Sequence, residues 1–329
     1  MKSTLTWQGA RVAELRDLTP TVREFVLAPA DADAVAERWA PGAHLQVRLA
    51  ADGREFTRNY SLVGSPEECP GYRIAVKRLD DGLGGSRAMW QLAVGDAIEV
   101  GTPQNHFPLG FAAPATLLVA GGIGITPMVS MAQALARGGH RVRLLYAARS
   151  ESELAYGETL RELLGEGLVT CVSSRGERLD LTGEIDALSA GAQAYVCGPA
   201  ALLDEVRARW LDAGRPLPSL RFETFGSGGR LHSEGFYVEL PRHGTRLEVP
   251  PDQPLLEVLE AAGIEVMSDC RRGECGLCVM DVLSLDGQID HRDVFLSERE
   301  KRENTRICAC VSRVVGSVTL DTAWRAECA

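Results

Sequence analysis

Ten residues near the end of the chain, Asp269-Cys270-Arg271-Arg272-Gly273-Glu274-Cys275-Gly276-Leu277-Cys278, restrict its fold more than any other stretch. The spacing is Cys-x4-Cys-x2-Cys, answered by Cys310, which is the plant-type ligand pattern for a [2Fe–2S] cluster. Iron bridged by sulfide is soft and highly charged, so it calls for thiolates. A short loop wraps one side of such a cluster, and a residue from elsewhere in the fold closes the other. Gly273 and Gly276 let the loop backbone come close, so that its N–H groups point at the sulfurs and tune the potential. The alternative is a zinc site, but zinc sites usually pair two short Cys-x2-4-Cys hooks, and here there is one hook and a Cys-x4 arm. A cluster of this kind carries single electrons, so the rest of the chain should say where they come from.

At 329 residues there is room for two or three domains with proper cores. Nine cysteines suit a disulfide scaffold only in a far shorter chain, so Cys69, Cys171, Cys197, Cys308 and Cys328 read as unpaired thiols of a reducing compartment. The start, Met1-Lys2-Ser3-Thr4-Leu5-Thr6-Trp7, has no apolar signal core, and no run approaches the length of a membrane span. The expectation is a cytoplasmic protein with no membrane association. A formal charge of −10 argues against a nucleic acid partner.

Residues 1–109 read as short alternating strands, among them Val22–Leu27, His44–Leu49 and Tyr72–Lys77, broken at Pro41-Gly42, Asp52-Gly53 and Asp81-Gly82. That spacing predicts an antiparallel barrel. Within it, Arg58-Asn59-Tyr60-Ser61 sets Arg58 and Tyr60 on one strand face and Ser61 on the other. An aromatic and a guanidinium on one face suit a flavin ring and its phosphate or ribityl chain. Gly82-Leu83-Gly84-Gly85-Ser86-Arg87 then leads into a helical run, with Ser86 expected at the cap, as a phosphate cradle or an ordinary N-capped turn. Lys77 and Arg78 add positive charge nearby or are solvated surface residues.

Residues 110–226 change pattern. Ala115–Ala120 is a continuous apolar run that suits a buried parallel strand. It enters Gly121-Gly122-Ile123-Gly124-Ile125-Thr126-Pro127 and a helix over Met128–Arg137, with Thr126 expected as cap and Pro127 as the first helical residue. A strand, Gly-rich turn and helix aim N–H groups at a pyrophosphate. The spelling Gly-x-Gly-x-x-Pro is not the ordinary dehydrogenase fingerprint. The next strand ends at Arg149-Ser150-Glu151, where Arg149 and Ser150 suit a 2′-phosphate while Glu151 or Glu153 suits a free 2′-hydroxyl, which leaves NADH and NADPH both open. A last strand runs into Cys197-Gly198-Pro199 at the sheet edge where ligands of open α/β sheets sit. Cys197 is a nicotinamide contact if a flavin faces it and a core thiol otherwise.

Gly226–Arg230 reads as the start of a linker over 227–234. Residues 235–329 then offer a hairpin about Pro241–Gly244, a short helix over Leu255–Ala262 and the cysteine loop, an order that resembles the β-grasp fold of plant-type ferredoxins. With these pieces in order, the chain resembles the phthalate dioxygenase reductase family, which includes vanillate demethylase reductases, over nearly its whole length. The family motifs are Arg58-Asn59-Tyr60-Ser61, Gly84-Gly85-Ser86, Gly121 to Pro127, Cys197-Gly198-Pro199 and the cysteine loop.

The resemblance implies a multidomain fold: an antiparallel β-barrel flavin domain, a parallel α/β nucleotide domain of the ferredoxin reductase kind, and a C-terminal β-grasp ferredoxin domain. It implies FMN held by Arg58, Tyr60, Ser61 and the Gly85-Ser86 turn, with Phe225 covering the flavin face. Two cysteines compete for the fourth cluster ligand, and the family's Cys-x-Ser-Arg spelling matches Cys310-Val311-Ser312-Arg313, which leaves Cys308 spare. Asp290-His291-Arg292-Asp293 followed by Ser297 resembles the family's loop near the cluster. A Rieske role for His291 would need a second histidine ligand, and the cysteine set is already complete. The implied activity passes electrons from NADH through FMN and the cluster to a terminal oxygenase docking at the ferredoxin domain. By family analogy that oxygenase is a Rieske-type aromatic oxygenase or O-demethylase, with a cytochrome P450 as the alternative. A nucleotide-regulated redox sensor and a purely structural metal domain are the readings from other classes.

Overall fold

The structure, a computed structural model, describes residues 5–31, 35–51, 54–80, 84–225, 234–251 and 253–322. The expected breaks at Asp52-Gly53 and Asp81-Gly82, the Gly82-Leu83 half of the second turn, the linker start at Gly226–Arg230 and Cys328 lie outside the described residues. The chain divides into two compact units, Met1–Glu223 and Thr224–Ala329.

The first unit opens with strands β1 (Trp7–Thr19), β2 (Val22–Pro29), β3 (His44–Ala51), β4 (Arg54–Ser61) and β5 (Tyr72–Lys77), then helix α1 (Gly85–Gln91) and strand β6 (Ala97–Gly101). They form an antiparallel sheet in the order β4-β3-β6-β1-β2-β5. The two ends of the order meet at a bridge between Leu62 and Ile74, and Val63 N–H donates to the Arg73 carbonyl at 2.9 Å, so the sheet curls on itself as expected. Inside lie Phe25, Leu27, Leu45, Val47, Ile74 and Met89. Each such buried side chain stabilises the fold by about 1.5–3 kcal/mol relative to an exposed one.

The same unit continues with β7 (Thr116–Gly121), α2 (Ile125–Arg137), β8 (Val142–Ala148), α3 (Gly157–Leu164), β9 (Leu168–Val172), α4 (Leu181–Asp186), β10 (Gln193–Cys197), α5 (Ala200–Asp212) and β11 (Leu220–Glu223). The sheet is parallel in the order β11-β10-β7-β8-β9. Every residue of β7 is buried, which is why its sequence is an unbroken apolar run rather than an alternating one. The chain leaves β7 toward β8 on one side and returns to β10 on the other. The carboxyl ends of β7 and β10 are therefore the topological switch point, where open α/β sheets bind ligands.

One expectation at this turn is corrected. A 3-10 turn over Gly122–Gly124 precedes α2, which starts at Ile125, so Thr126 is not its cap and Pro127 is not its first residue. The Thr126 hydroxyl donates back to the Ile123 carbonyl at 3.0 Å, and Pro127 is tolerated because first-turn N–H groups have no helical partner.

The second unit holds β12 (Phe236–Leu240), β13 (Thr245–Val249), α6 (Leu255–Ala261), β14 (Val279–Asp290), α7 (Glu298–Glu303), β15 (Arg306–Cys308) and β16 (Arg313–Asp321). Its sheet runs β13-β12-β16-β14-β15, with a parallel β12/β16 pair inside otherwise antiparallel pairing, as a β-grasp fold requires. Buried and exposed residues alternate along β12, since one face covers α6 and the other meets solvent. Leu255, Leu256 and Leu259 of α6 fill the core against Phe236, Val238, Ile307 and Leu320. Among the described residues, no helix is long and apolar enough to cross a membrane.

Candidate functional site: flavin strand, nucleotide turn and cysteine loop

Register places Arg58 opposite Val47, Tyr60 opposite Leu45 and Ser61 opposite His44 at the end of β4, with Asn59 between them. A Cβ added to Gly85 would meet Arg58 Nε at 2.9 Å and Cγ at 3.0 Å, so the start of α1 lies directly on the guanidinium stem. Gly84 at φ 88 turns the chain into that helix. The structure thus brings Arg58, Gly84 and Gly85 together, and a guanidinium beside freshly exposed helix N–H groups fits a phosphate. Ser86 is the second residue of α1 rather than its cap, and its hydroxyl accepts from Leu79 N–H at 3.1 Å. Burial pushes the Tyr60 phenol well up from its ordinary range, against a smaller opposing pull from Arg58, so it stays neutral beside a ring. Lys77 is turned to Glu153, 3.6 Å away, which also accepts from the Thr21 hydroxyl at 2.5 Å. Glu153 therefore faces the barrel, not a ribose.

Sequence reasoning missed Glu223. It ends β11 beside Cys197 in register, is 1% exposed, and its Oε2 accepts from Ser61 Oγ at 3.3 Å. A hydroxyl on the flavin strand is thereby joined to a carboxylate at the switch point. The available signal was a charged residue closing a buried parallel strand, where a charge is expensive unless it has a task.

At the switch point, a Cβ on Gly124 would lie 2.1 Å from the Cys197 carbonyl oxygen, and one on Gly121 would lie 2.7 Å from Pro199 Cδ. Gly121, Gly124, Cys197, Gly198 and Pro199 are thus one surface, closed against side chains. Gly122, at φ 55, has open space above it. Thr126 and Pro127 are buried in the first turn of α2 behind that opening. An open glycine turn backed by helix N–H groups fits a dinucleotide pyrophosphate. Arg149 is exposed just past β8, with its carbonyl accepting from Ser174 N–H at 3.0 Å. Glu151 pairs with Arg175, and the hydroxyls of Ser150 and Ser152 lie 3.0 Å apart.

In the second unit, the N–H groups of Arg272, Glu274 and Cys275 all point at Cys270 Sγ, each at 3.4 Å. Cys278 Sγ lies 3.1 Å from Cys310 Sγ. Gly273 and Gly276 make this wrap possible: both have positive φ, 76° and 74°, and a Cβ would strike Val311 at 2.6 Å and the Phe295 ring at 2.2 Å. Hydrogen bonds from Cys308 and Cys310 draw the Cys278 thiol down to about 3, and donating those bonds, together with burial, pushes the two donors up. Crowded thiols can share only one charge until cations replace their protons. The Gly273 N–H of the loop and the charge of Cys270 act on Cys310, whereas Cys308 feels Asp293. A convergent N–H set on one sulfur and a close pair at another suit an anionic, thiolate-held cluster. Phe225 lies just beyond β11 in the second unit, and its neighbour Thr224 is held to the loop by Glu274 Oε1, which accepts Thr224 N–H at 2.7 Å, and by the Arg272 carbonyl, which accepts its hydroxyl at 3.1 Å.

Three family models match successive stretches of the chain. Residues 10–108 match the oxidoreductase FAD-binding domain, and residues 238–315 match the 2Fe-2S iron-sulfur cluster binding domain. Residues 106–217 match the N-terminal domain of dimethylamine monooxygenase subunit DmmA-like proteins. The chain is 40% identical over 319 residues to the heme-dependent oxidative N-demethylase beta subunit of Ectopseudomonas mendocina, covering 96% of this chain and 98% of that one. It is 38% identical over 282 residues to the phthalate dioxygenase reductase of Burkholderia cepacia, covering 83% and 84%. The solved structure of phthalate dioxygenase reductase, described as modular for electron transfer from pyridine nucleotides to [2Fe-2S], matches with a TM-score of 0.79 at 34% identity, over 96% of this chain and 98% of that one. The expected cofactor classes, flavin, nicotinamide nucleotide and [2Fe–2S], follow, and the zinc alternative falls away. The chain is an NAD(P)H-dependent flavin and iron–sulfur oxidoreductase of the phthalate dioxygenase reductase family.

Proposed function

We propose that this protein is the reductase component of an oxygenase system, taking electrons from NADH and delivering them singly to a terminal oxygenase. The observation that carries the reading is the cysteine loop, where three N–H groups converge on Cys270 and Cys278 meets Cys310, in one chain with a nucleotide turn and a flavin strand. When bound, the flavin, read as FMN, converts a two-electron hydride donor into a one-electron source for the cluster. The chain's part is to hold and orient. Arg58, Asn59, Tyr60, Ser61, Gly84, Gly85 and Ser86 would hold the flavin, with Lys77 at the rim. Gly121, Gly122, Gly124, Thr126 and Pro127 would hold the pyrophosphate, with Cys197, Gly198 and Pro199 against the nicotinamide. Cys270, Cys275, Cys278 and Cys310 are the proposed cluster ligands, and no acid or base in the chain is required.

The module boundaries that fit this division of labour are 1–109, 110–226, a linker over 227–234, and 235–329. NADH is favoured over NADPH because Glu151, exposed at the end of β8 and neutralising Arg175, disfavours a 2′-phosphate, although Arg149 stands beside it. The cysteines of the described residues form no disulfide, which suits the reducing cytoplasm.

The oxygenase is read as Rieske-type, acting on an aromatic acid or ether, and docking at the ferredoxin module. A haem oxygenase, including a cytochrome P450, is the second reading, favoured by 40% identity to a heme-dependent N-demethylase subunit. The test is steady-state reduction of cytochrome c by NADH. Wild-type protein should reduce it, and Cys310→Ser should lose that activity while still passing electrons from NADH to ferricyanide. Equal cytochrome c reduction by both would contradict the cluster's place in the path. Reduction rates of purified Rieske and haem oxygenases would then separate the two partner readings.

A further inference from the structure

Just past the end of β8, the segment 151–156 leaves the parallel sheet, touches the barrel and returns as α3. Its first half is a 3-10 turn over Glu151–Glu153, and Tyr156 then holds φ 60 and ψ 9 as the residue before the helix. A bulky side chain is costly in this left-handed region, where glycine or asparagine would sit freely. Strain of this kind persists only where surrounding contacts over-determine it.

Those contacts are on the barrel. The Tyr156 hydroxyl donates to Glu24 Oε2 at 2.8 Å. Glu24, on β2, is 6% exposed, and Arg16 at 3.0 Å and Arg73 at 3.9 Å balance its charge. Burial, then the charge of Glu24, pushes the Tyr156 phenol well up, so it keeps the proton it donates. Three residues earlier, Glu153 accepts from the Thr21 hydroxyl at 2.5 Å and faces Lys77 Nζ at 3.6 Å. From Thr21, hydrogen bonds lead on to the flavin cradle. Arg78 N–H donates to the Thr21 carbonyl at 2.8 Å, and Leu79 N–H donates to Ser86 Oγ at 3.1 Å, one residue from the Gly85 that rests on Arg58. The segment therefore begins where the adenosine half of the nucleotide is read and is pinned to the strands that carry the cradle.

We propose that Tyr156 and Glu153 are positioning residues for hydride transfer, pinning the parallel sheet to the barrel at Glu24 and Thr21 so that the nicotinamide of bound NADH meets the flavin. The inference rests on the flavin and nucleotide sites proposed above. Hydride transfer needs its reacting atoms about 3–3.5 Å apart, and a misplacement of about 1 Å can cost roughly 100-fold in rate. The barrel carries one reactant and the parallel sheet the other, so the angle between them must be fixed at more than one place. Ser61 and Glu223 join them where β4 and β11 end, at 3.3 Å. Tyr156 and Glu153 join them instead at β2 and at the turn before it. Arg137 and Glu68, 3.6 Å apart, also link the two, but both side chains are about half exposed, and water screens such a pair.

The experiment is stopped-flow bleaching of the flavin by NADH in the holoprotein, taken to saturating nucleotide, beside a thermal melt and reduction by dithionite. Tyr156→Phe removes the hydroxyl and keeps the ring, and Thr21→Val removes the other donor and keeps its shape. Tyr156→Phe should lower the limiting rate about tenfold, and the double variant about 100-fold. Flavin content and dithionite reduction should stay as in wild type, with the half-saturating NADH concentration changed by less than about twofold, because the lost contacts orient the nucleotide rather than bind it. The long-wavelength charge-transfer absorbance of nicotinamide stacked on flavin should weaken in step. Arg137→Ala, which cuts the exposed pair, should keep the wild-type rate. A double variant that bleaches at the wild-type limiting rate overturns the proposal, even if its melting midpoint falls, since the contacts are then a brace and nothing more. Arg137→Ala slowing as much as Tyr156→Phe overturns it as well. Should the double variant fail to fold, an unchanged limiting rate in Tyr156→Phe alone does the same. A wild-type holoprotein whose flavin NADH does not bleach overturns the site reading beneath it.

Discussion

Replacing Gly124 by alanine adds one methyl group at the point where the turn after β7 touches the end of β10. That Cβ would lie 2.1 Å from the Cys197 carbonyl oxygen, 2.5 Å from its carbon and 2.9 Å from Gly198 N. Comfortable contact needs about 3.5 Å, so the two segments must part by about 1 Å. The backbone itself accepts alanine, because Gly124 has φ −60, so the cost is steric alone. Overpacking of this kind costs roughly 1–3 kcal/mol, and the upper half applies here because the obstacle is backbone rather than a flexible side chain. For a unit of this size that lowers Tm by roughly 4–10 °C. A shift of about 1 Å between nicotinamide and flavin can also slow transfer about 100-fold. The assay is stopped-flow bleaching of the flavin by NADH, beside a thermal melt and reduction by dithionite. Gly139→Ala is the control: at φ 67 it is strained, but its Cβ would meet nothing within 4 Å. It should lose about 1 kcal/mol and keep the wild-type rate. Gly124→Ala should instead lose most of its NADH-driven rate while dithionite still reduces both centres. A Gly124→Ala protein that bleaches at the wild-type rate would refute the placing of the nucleotide between this turn and Cys197-Gly198.

Cys310→Ser should abolish or badly disturb the cluster spectrum, whereas Cys308→Ser should leave it intact; equal loss in both would reverse the ligand assignment. Glu274→Ala removes the acceptor of Thr224 N–H and one neighbour of Arg272, whose side chain is 5% exposed. Leaving the Thr224 donor without its acceptor should cost about 1–3 kcal/mol, read as a lower melting midpoint of the holoprotein; an unchanged midpoint would mean the network is slack. Ser61→Ala should slow reduction by NADH per bound flavin, and an unaltered rate would confine the Ser61–Glu223 bond to a structural role.

The elements most legible in the sequence were those whose period or punctuation is local. The unbroken run of β7 announced a parallel strand, and the spacing of Cys270, Cys275 and Cys278 announced their centre without any knowledge of the fold. Helix starts were less legible. Thr126 and Ser86 have the chemistry of caps, but a 3-10 turn and a glycine took the cap positions, and both hydroxyls found other partners. Least legible were pairs distant in sequence. Ser61 with Glu223, and Glu24 with the Tyr156 hydroxyl at 2.8 Å, depend on how the barrel and the parallel sheet meet, which no local pattern encodes. Glu153 was misjudged for the same reason: as a residue past a strand end it suggested a ribose contact, and it serves Lys77 and Thr21 instead.

The measurement that bears most directly on the central claim is an anaerobic titration of the holoprotein with NADH, and in parallel NADPH, followed by absorbance and electron paramagnetic resonance. Flavin bleaching, a reduced [2Fe–2S] signal and uptake of about three electrons, two for the flavin and one for the cluster, are the predicted result, with NADH effective at the lower concentration. Flavin bleaching with the cluster left oxidised would contradict the electron path through Cys270, Cys275, Cys278 and Cys310.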